Sequence, residues 1–127
     1  MDEGLLDSSA LLAVIFGEPG SEMVAPILSG SAISAVNAAE VQAKIVREGA
    51  DSETAWELTS GAVGRIIAFD AVQAKLCGSL IVHTRSASLS AGDRACLAAS
   101  ITMGLPIYTA DRAWLKIDVG CDIRMIR

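Results

Sequence analysis

The sequence predicts an α/β fold, a mainly parallel sheet covered by helices on both faces, formed by all 127 residues as one domain. Three observations carry this expectation. Short apolar runs alternate with longer stretches of helical periodicity from end to end. Those longer stretches suit the crossovers that parallel neighbours need, whereas antiparallel strands can be joined by tight turns. No low-complexity segment, internal repeat or long linker interrupts the alternation, and a chain of this size houses about one hydrophobic core.

Residues Gly4 to Asp7 form the first strand candidate, followed by an apolar helix from Ser8 to about Phe16 that the breakers Pro19 and Gly20 close. A second helix is expected from Ser21 to Leu28, then a strand at Ala32-Ile33-Ser34. The next helix spans about Ala38 to Glu48, with Val41, Ile45 and Val46 on a common face. Asp51-Ser52-Glu53 opens a helix running to about Arg65, Ile66 to Phe69 reads as a strand, and Asp70 starts a helix that continues into Leu80-Ile81-Val82. Ser90 opens a helix through Met103 that Gly104 ends, Pro106 to Thr109 is a strand with Asp111 just beyond it, and Ile123 to Ile126 is the closing strand.

Composition narrows the function classes. Hydrophobic residues make up 52% of the chain against 20% charged, which supports a packed core and excludes a disordered chain. No apolar stretch approaches the roughly 20 residues of a membrane helix, and the opening Met1-Asp2-Glu3-Gly4 lacks the basic region of a secretory signal, so a cytoplasmic protein without a membrane partner is expected. Cys77, Cys96 and Cys121 form an odd set with no C-x-x-C pair, against a disulfide framework or a zinc site, and read as small core residues. His83, the only histidine, has no nucleophile motif beside it and reads as structural or surface. A net charge of −5 disfavours a dedicated DNA-binding module, whose basic face would neutralise phosphates. Bound divalent cations would invert the local field of the carboxylates holding them, so phosphate chemistry stays open.

The acids are the informative feature. In open α/β sheets ligands bind beyond the carboxyl ends of the strands. Asp7 follows the first strand, Glu40 comes just after the second, Asp111 follows Tyr108-Thr109, and Asp93 lies in the first turn of its helix. Carboxylates converging on one rim repel one another unless a cation holds them, and magnesium or manganese prefers such hard oxygen donors. Each acid alone is better explained as a helix cap: Asn37-x-x-Glu40 and Ser90-x-x-Asp93 resemble capping boxes, and Asp7 and Asp111 are placed to cap the segments after them. Asp70 also follows a strand but reads as an N-cap, while Asp118 and Asp122 read as solvated surface charges. Arg94 and Arg112 each follow an acid by one residue, positions suited either to contacting a substrate phosphate or to holding the carboxylates by ion pairing. Trp56 and Trp114 read as core or interface, since 4% aromatics provides no base-stacking platform.

Four blocks carry a family pattern: Leu6-Asp7-Ser8-Ser9-Ala10-Leu11, Ser34-Ala35-Val36-Asn37-x-x-Glu40, Leu89-Ser90-x-Gly92-Asp93-Arg94-Ala95-Cys96-Leu97-Ala98, and Thr109-Ala110-Asp111-Arg112-x-Trp114. In this order they resemble PIN-domain proteins, most of all VapC-type toxins of bacterial toxin–antitoxin pairs. The resemblance reaches to Asp122-Ile123-Arg124-x-Ile126-Arg127 and so covers essentially the whole chain. It implies a PIN-like three-layer sandwich and a Mg2+- or Mn2+-dependent endoribonuclease that cleaves structured RNA, commonly transfer or ribosomal RNA, leaving a 5′-phosphate and a 3′-hydroxyl and arresting translation. It places the catalytic and metal-binding acids at Asp7, Glu40, Asp93 and Asp111, with Thr109 and Ser8 as supporting polar positions. It also implies a homodimer and a VapB-type antitoxin whose C-terminal segment blocks the acidic pocket, any DNA contact belonging to the antitoxin. Val14-Ile15-Phe16 and Ala55-Trp56-Leu58 are candidate partner surfaces, with a core role as the default. One departure lies in Met1 to Gly4: where the family usually starts with β-branched hydrophobic residues, Asp2, Glu3 and Gly4 predict a short first strand.

Three rival readings have recognisable consequences. A PIN-like module without catalysis would keep the acids for folding or partner binding, and a housekeeping PIN nuclease would cut RNA without a toxin role. A phosphoacceptor domain using Asp7 as nucleophile would need D-x-D, but position 9 is Ser.

Overall fold

The computed structural model describes residues 4–127; Met1, Asp2 and Glu3, where most of the expected departure falls, lie outside the described residues. Five strands form one sheet in the order β3-β2-β1-β4-β5: β1 (Leu5–Leu6), β2 (Ala32–Ser34), β3 (Arg65–Ile67), β4 (Ile107–Thr109) and β5 (Ile123–Met125). Every pairing is parallel, so the expected mainly parallel sheet is parallel throughout the described chain. The helices are α1 (Ser8–Phe16), α2 (Ser21–Val24), α3 (Ala35–Arg47), α4 (Ser52–Ala62), α5 (Ala71–Ser79), α6 (Ile81–Thr84) and α7 (Ala91–Met103), with 3-10 segments at Ala25–Gly30, Arg85–Ala87 and Arg112–Lys116. Among the described residues no single helix is long and apolar enough to cross a membrane.

Alternation along the short strands creates the layers, because successive side chains point to opposite faces. Leu6 and Ile33 face a core with Ala10, Leu11, Val24, Val41 and Ile45, from α1 to α3. Their neighbours Leu5 and Ala32 face the other way, packing with Ile107, Cys96, Leu97 and the fully buried Trp114. α7 is buried on more than one side: Cys96, Leu97 and Ala99 join the sheet-side cluster, while Ala95 and Ala98 pack with Cys77 of α5. Small residues allow that double contact at close range. This wedged helix fixes where Asp93 stands.

Several boundaries differ from expectation, each for a local reason. α3 starts at Ala35, not Ala38, because Ser34 caps it by accepting a hydrogen bond from the Val36 amide. The segment after α2 narrows to a 3-10 helix where Pro26 removes a backbone donor. α4 ends at Ala62, and the third strand occupies Arg65–Ile67 rather than Ile66 to Phe69, leaving Phe69 outside the sheet. Gly64 causes that early entry: its amide donates to the Ser31 carbonyl at 2.8 Å, and a Cβ there would stand 2.6 Å from the Ser29 carbonyl oxygen. Of the tryptophans, Trp114 is core, but Trp56 is 43% exposed and Phe16 and Leu58 are similarly open, so the default core role fails for these three.

Gly64→Ala is expected to lower stability by about 1–3 kcal/mol, since backbone oxygens cannot yield to the new methyl group. Gly78→Ala, in α5 with nothing within 4 Å of the added Cβ, should be neutral or gain up to about 1 kcal/mol from helix propensity. Urea denaturation of the two variants beside the parent chain reads both signs.

Candidate active site

The chain runs outward from the central strand β1 through β2 to β3, then returns by way of α7 to place β4 on the other flank of β1. The strand order reverses between β1 and β4, and such a switch point opens a crevice at the carboxyl ends of the strands. Asp7 follows β1 and Thr109 ends β4, in a register where Leu6 pairs with Tyr108.

Asp7 is only 3% exposed and fully engaged. Its Oδ1 accepts from the Ala10 amide at 2.9 Å, capping α1, and from the Ser9 hydroxyl at 2.7 Å. Its Oδ2 accepts from the Thr109 hydroxyl at 2.5 Å, across the switch point. Thr109 Oγ1 in turn accepts from the Asp111 amide at 3.0 Å, and Ser9 Oγ from the Ala110 amide at 2.9 Å. Two hydroxyls thus tie the end of β4 to the carboxylate that ends β1. Burial, with a smaller contribution from the Asp93 charge, pushes the Asp7 pKa from 3.8 up to about 6 against the lowering effect of these hydrogen bonds.

Asp93 forms the expected capping box: its amide donates to Ser90 Oγ at 3.2 Å, and its Oδ2 accepts from the Ser90 amide at 2.9 Å. Glu40 does not. It lies in the second turn of α3, and the Asn37 Nδ2 group donates both to Glu40 Oε1 at 2.8 Å and to the Gly92 carbonyl at 3.0 Å. The anticipated Asn37–Glu40 capping box is therefore replaced by an intrahelical pair resting on α7. Beneath, the Cys96 thiol is pushed well above its ordinary pKa, first by burial and then by the fields of Asp7, Asp93, Cys121 and Glu40. Asp93 thus lies near Asp7, and Glu40 rests against Gly92, the residue before Asp93.

Asp111 joins through its backbone. Its exposed side chain caps the following 3-10 segment, accepting from the Ala113 amide at 2.9 Å. Asp70 likewise caps α5 through the Gln73 amide, as expected. Neither arginine forms an ion pair with the site acids among the described residues: Arg94 Nη1 turns back to the Leu89 carbonyl and Arg112 Nη1 donates to the Arg127 carbonyl. The ion-pairing reading of Arg94 and Arg112 is corrected on that ground. The hydroxyl beside the first acid is also Ser9 rather than Ser8, because the residue two beyond an N-cap points back over it. Asp122 is solvated as expected and pairs with Arg124 at 2.9 Å, while His83 is on the surface.

Sequence reasoning missed three contributors: Ser9, Gly92, and Asn37 as a partner of Glu40. A glycine inside the first turn of α7 was the readable signal, since it forgoes helix propensity at a place where a Cβ would lie 2.3 Å from Glu40 Oε2. Among the described residues no three acidic, histidine or cysteine side chains are arranged to hold one metal ion as they stand. The donor set nevertheless fits a hard divalent cation: it is all carboxylate, and Asp7 is a buried acid that gains from nearby positive charge.

Two outcomes follow for Asp7. Its folded-state pKa lies above the unfolded value, so the native chain holds the extra proton between about pH 4 and pH 6, and metal-free stability falls as pH rises through that window. Asp7→Asn, which keeps the cap without the charge, should therefore raise metal-free stability at pH 7.5 by about 1–3 kcal/mol and flatten its dependence over that window. Thr109→Val removes a donor that favours the ionised form and should move the Asp7 titration above 6, read from the carboxyl signal by NMR.

The profile of the PIN domain family matches residues 4–120. No curated protein matches the sequence. Among solved structures, a toxin–antitoxin complex from Klebsiella pneumoniae is similar at 16% identity over 98% of each chain, with a TM-score of 0.75. DNA-bound VapBC from Salmonella typhimurium aligns at 18% identity over 100% of both chains, TM-score 0.75. VapBC2 from Rickettsia felis, bound to a DNA fragment from their promoter, aligns at 19% identity over 95% of this chain and 96% of its own, TM-score 0.70. At these identities the likeness concerns the fold, and it agrees with the all-parallel five-stranded sheet and the family match: the chain belongs to the PIN domain family.

Proposed function

We propose that this chain is a Mg2+- or Mn2+-dependent endoribonuclease acting as the cytoplasmic toxin of a type II toxin–antitoxin pair. The observation that carries the reading is the buried Asp7 at the β1/β4 switch point, within reach of the Asp93 charge, while the Glu40 carboxylate lies against Gly92, the residue before Asp93. Structural placement as helix caps accounts for Asp93 and Asp111 individually. It does not account for a carboxylate 3% exposed, nor for a glutamate seated on a glycine.

Asp7, Glu40 and Asp93 would hold the cation, and Asp111 would complete the set by turning from its cap. A cation held there would supply Lewis-acid chemistry: polarisation of a phosphate oxygen, a lowered pKa for bound water and compensation of charge on the attacking and leaving oxygens. The chain's own contribution is preorganisation. Thr109 and Ser9 hold Asp7 ionised and correctly turned, and the surrounding apolar core strengthens every charge interaction there. Arg112 lies exposed next to Asp111, where its remaining guanidinium donors are available to RNA phosphate. Transfer or ribosomal RNA is the expected substrate class. A VapB-type antitoxin and a second copy of the chain are the proposed partners, DNA contact falling to the antitoxin; the exposed Phe16, Trp56 and Leu58 offer apolar contact surface.

Purified protein incubated with a defined RNA pool should cut in Mg2+ or Mn2+ and not in chelator, while Asp7→Asn and Asp93→Asn lose at least about 100-fold in rate. Equal cleavage by all three proteins would sink the assignment. Growth arrest on expression, relieved by the neighbouring gene's product, separates a toxin from a housekeeping nuclease, and absence of both cleavage and arrest points to a binding module.

A further inference from the structure

We infer that Asn37 and Gly92 together position the Glu40 carboxylate, and that this clamp rather than Glu40 alone sets the divalent-cation affinity of the site. The inference rests on the metal-site reading above.

The orientation of the Asn37 amide is fixed by chemistry. Both of its neighbours, Glu40 Oε1 and the Gly92 carbonyl, are acceptors, so the group facing them has to be the NH2 donor. With both NH2 hydrogens committed, Asn37 bridges α3 to the first turn of α7. Asn37 is 1% exposed, and its Oδ1 is buried with no hydrogen-bond partner among the described residues. An unsatisfied buried acceptor is destabilising, because its lost hydration is not replaced. For packing alone, an apolar side chain would serve better. What the asparagine supplies is its grip on a carboxylate that is otherwise at an exposed position on a flexible side chain.

Gly92 forms the other jaw. The Glu40 carboxylate lies against its Cα, with both oxygens and the carboxyl carbon within 2.8 Å of where a Cβ would be. Any side chain at position 92 would therefore push the carboxylate away. The displaced atoms are the far end of a flexible side chain, so the fold tolerates the change while the site does not. Asn37 and Gly92 come from different helices and act on the same carboxylate, which makes them independent probes of one device.

Mn2+ affinity by isothermal titration calorimetry, paired with thermal melts in chelator, tests this on the parent chain and on Asn37→Ala, Gly92→Ala and Glu40→Gln. Asn37→Ala and Gly92→Ala are each expected to weaken Mn2+ binding about 10-fold or more, the scale for residues that orient metal ligands. Their metal-free melting temperatures should stay within a few degrees of the parent, as a purely structural role would not allow. Adding Asn37→Ala to Glu40→Gln should cost no further affinity. Parent-like Mn2+ binding by Asn37→Ala and Gly92→Ala, beside weakened binding by Glu40→Gln, overturns the clamp and leaves the metal site standing. Parent-like binding by Glu40→Gln overturns the Glu40 assignment itself, and the clamp with it. Should Asn37→Ala fail to fold, Gly92→Ala decides alone.

Discussion

The hydrogen bond from Thr109 to Asp7 is the constraint on which the site depends. It joins the ends of two neighbouring parallel strands separated by about a hundred residues of chain, at the point where the sheet changes direction. Burying a carboxylate is unfavourable, and two hydroxyls and one amide offset that cost only in part, so the Asp7 pKa stays raised, to about 6. The strain is tolerated because the strands on either side are anchored by apolar contacts on both faces of the sheet. A buried carboxylate is suited to receiving a cation, because a positive charge beside it would offset the penalty that burial imposes.

The second constraint is the depth of α7. A helix packed against both the sheet and α5 is built from Ala95, Cys96, Ala98 and Ala99, because larger side chains would hold the layers apart. Its N-terminus therefore arrives close to the ends of β1 and β2, bringing Asp93 and the Gly92 backbone to Asp7 and Glu40. The partial positive charge of that helix end favours the acids gathered there. The same close packing leaves Cys96 under three carboxylates, where its thiol stays protonated and inert, so the structure gives no support to a redox or nucleophilic role for that residue.

Much of the fold was legible because binary pattern and punctuation are local. Asp7, Asp51, Asp70 and Ser90 were recognisable as helix starts, and each caps its helix. Where the reading slipped, a non-local contact was responsible. Gly64 enters the sheet edge early because it fits against the 29–31 turn, which no window around residue 64 reveals. Asn37 looked like a cap because its spacing to Glu40 suits one, but Ser34 already held that place.

The sequence by itself determined the α/β class and the parallel strands and named the four candidate acids, since apolar periodicity, crossover length and motif order are properties of the chain alone. Only the tertiary structure decided how those acids are held. Ser9 rather than Ser8 supports Asp7, Glu40 rests on Gly92 under the Asn37 amide, and Arg94 and Arg112 turn away from the carboxylates. Hydrogen bonds to a carboxylate depend on distances of a few ångströms between segments far apart in sequence, and those distances exist only once the layers have packed.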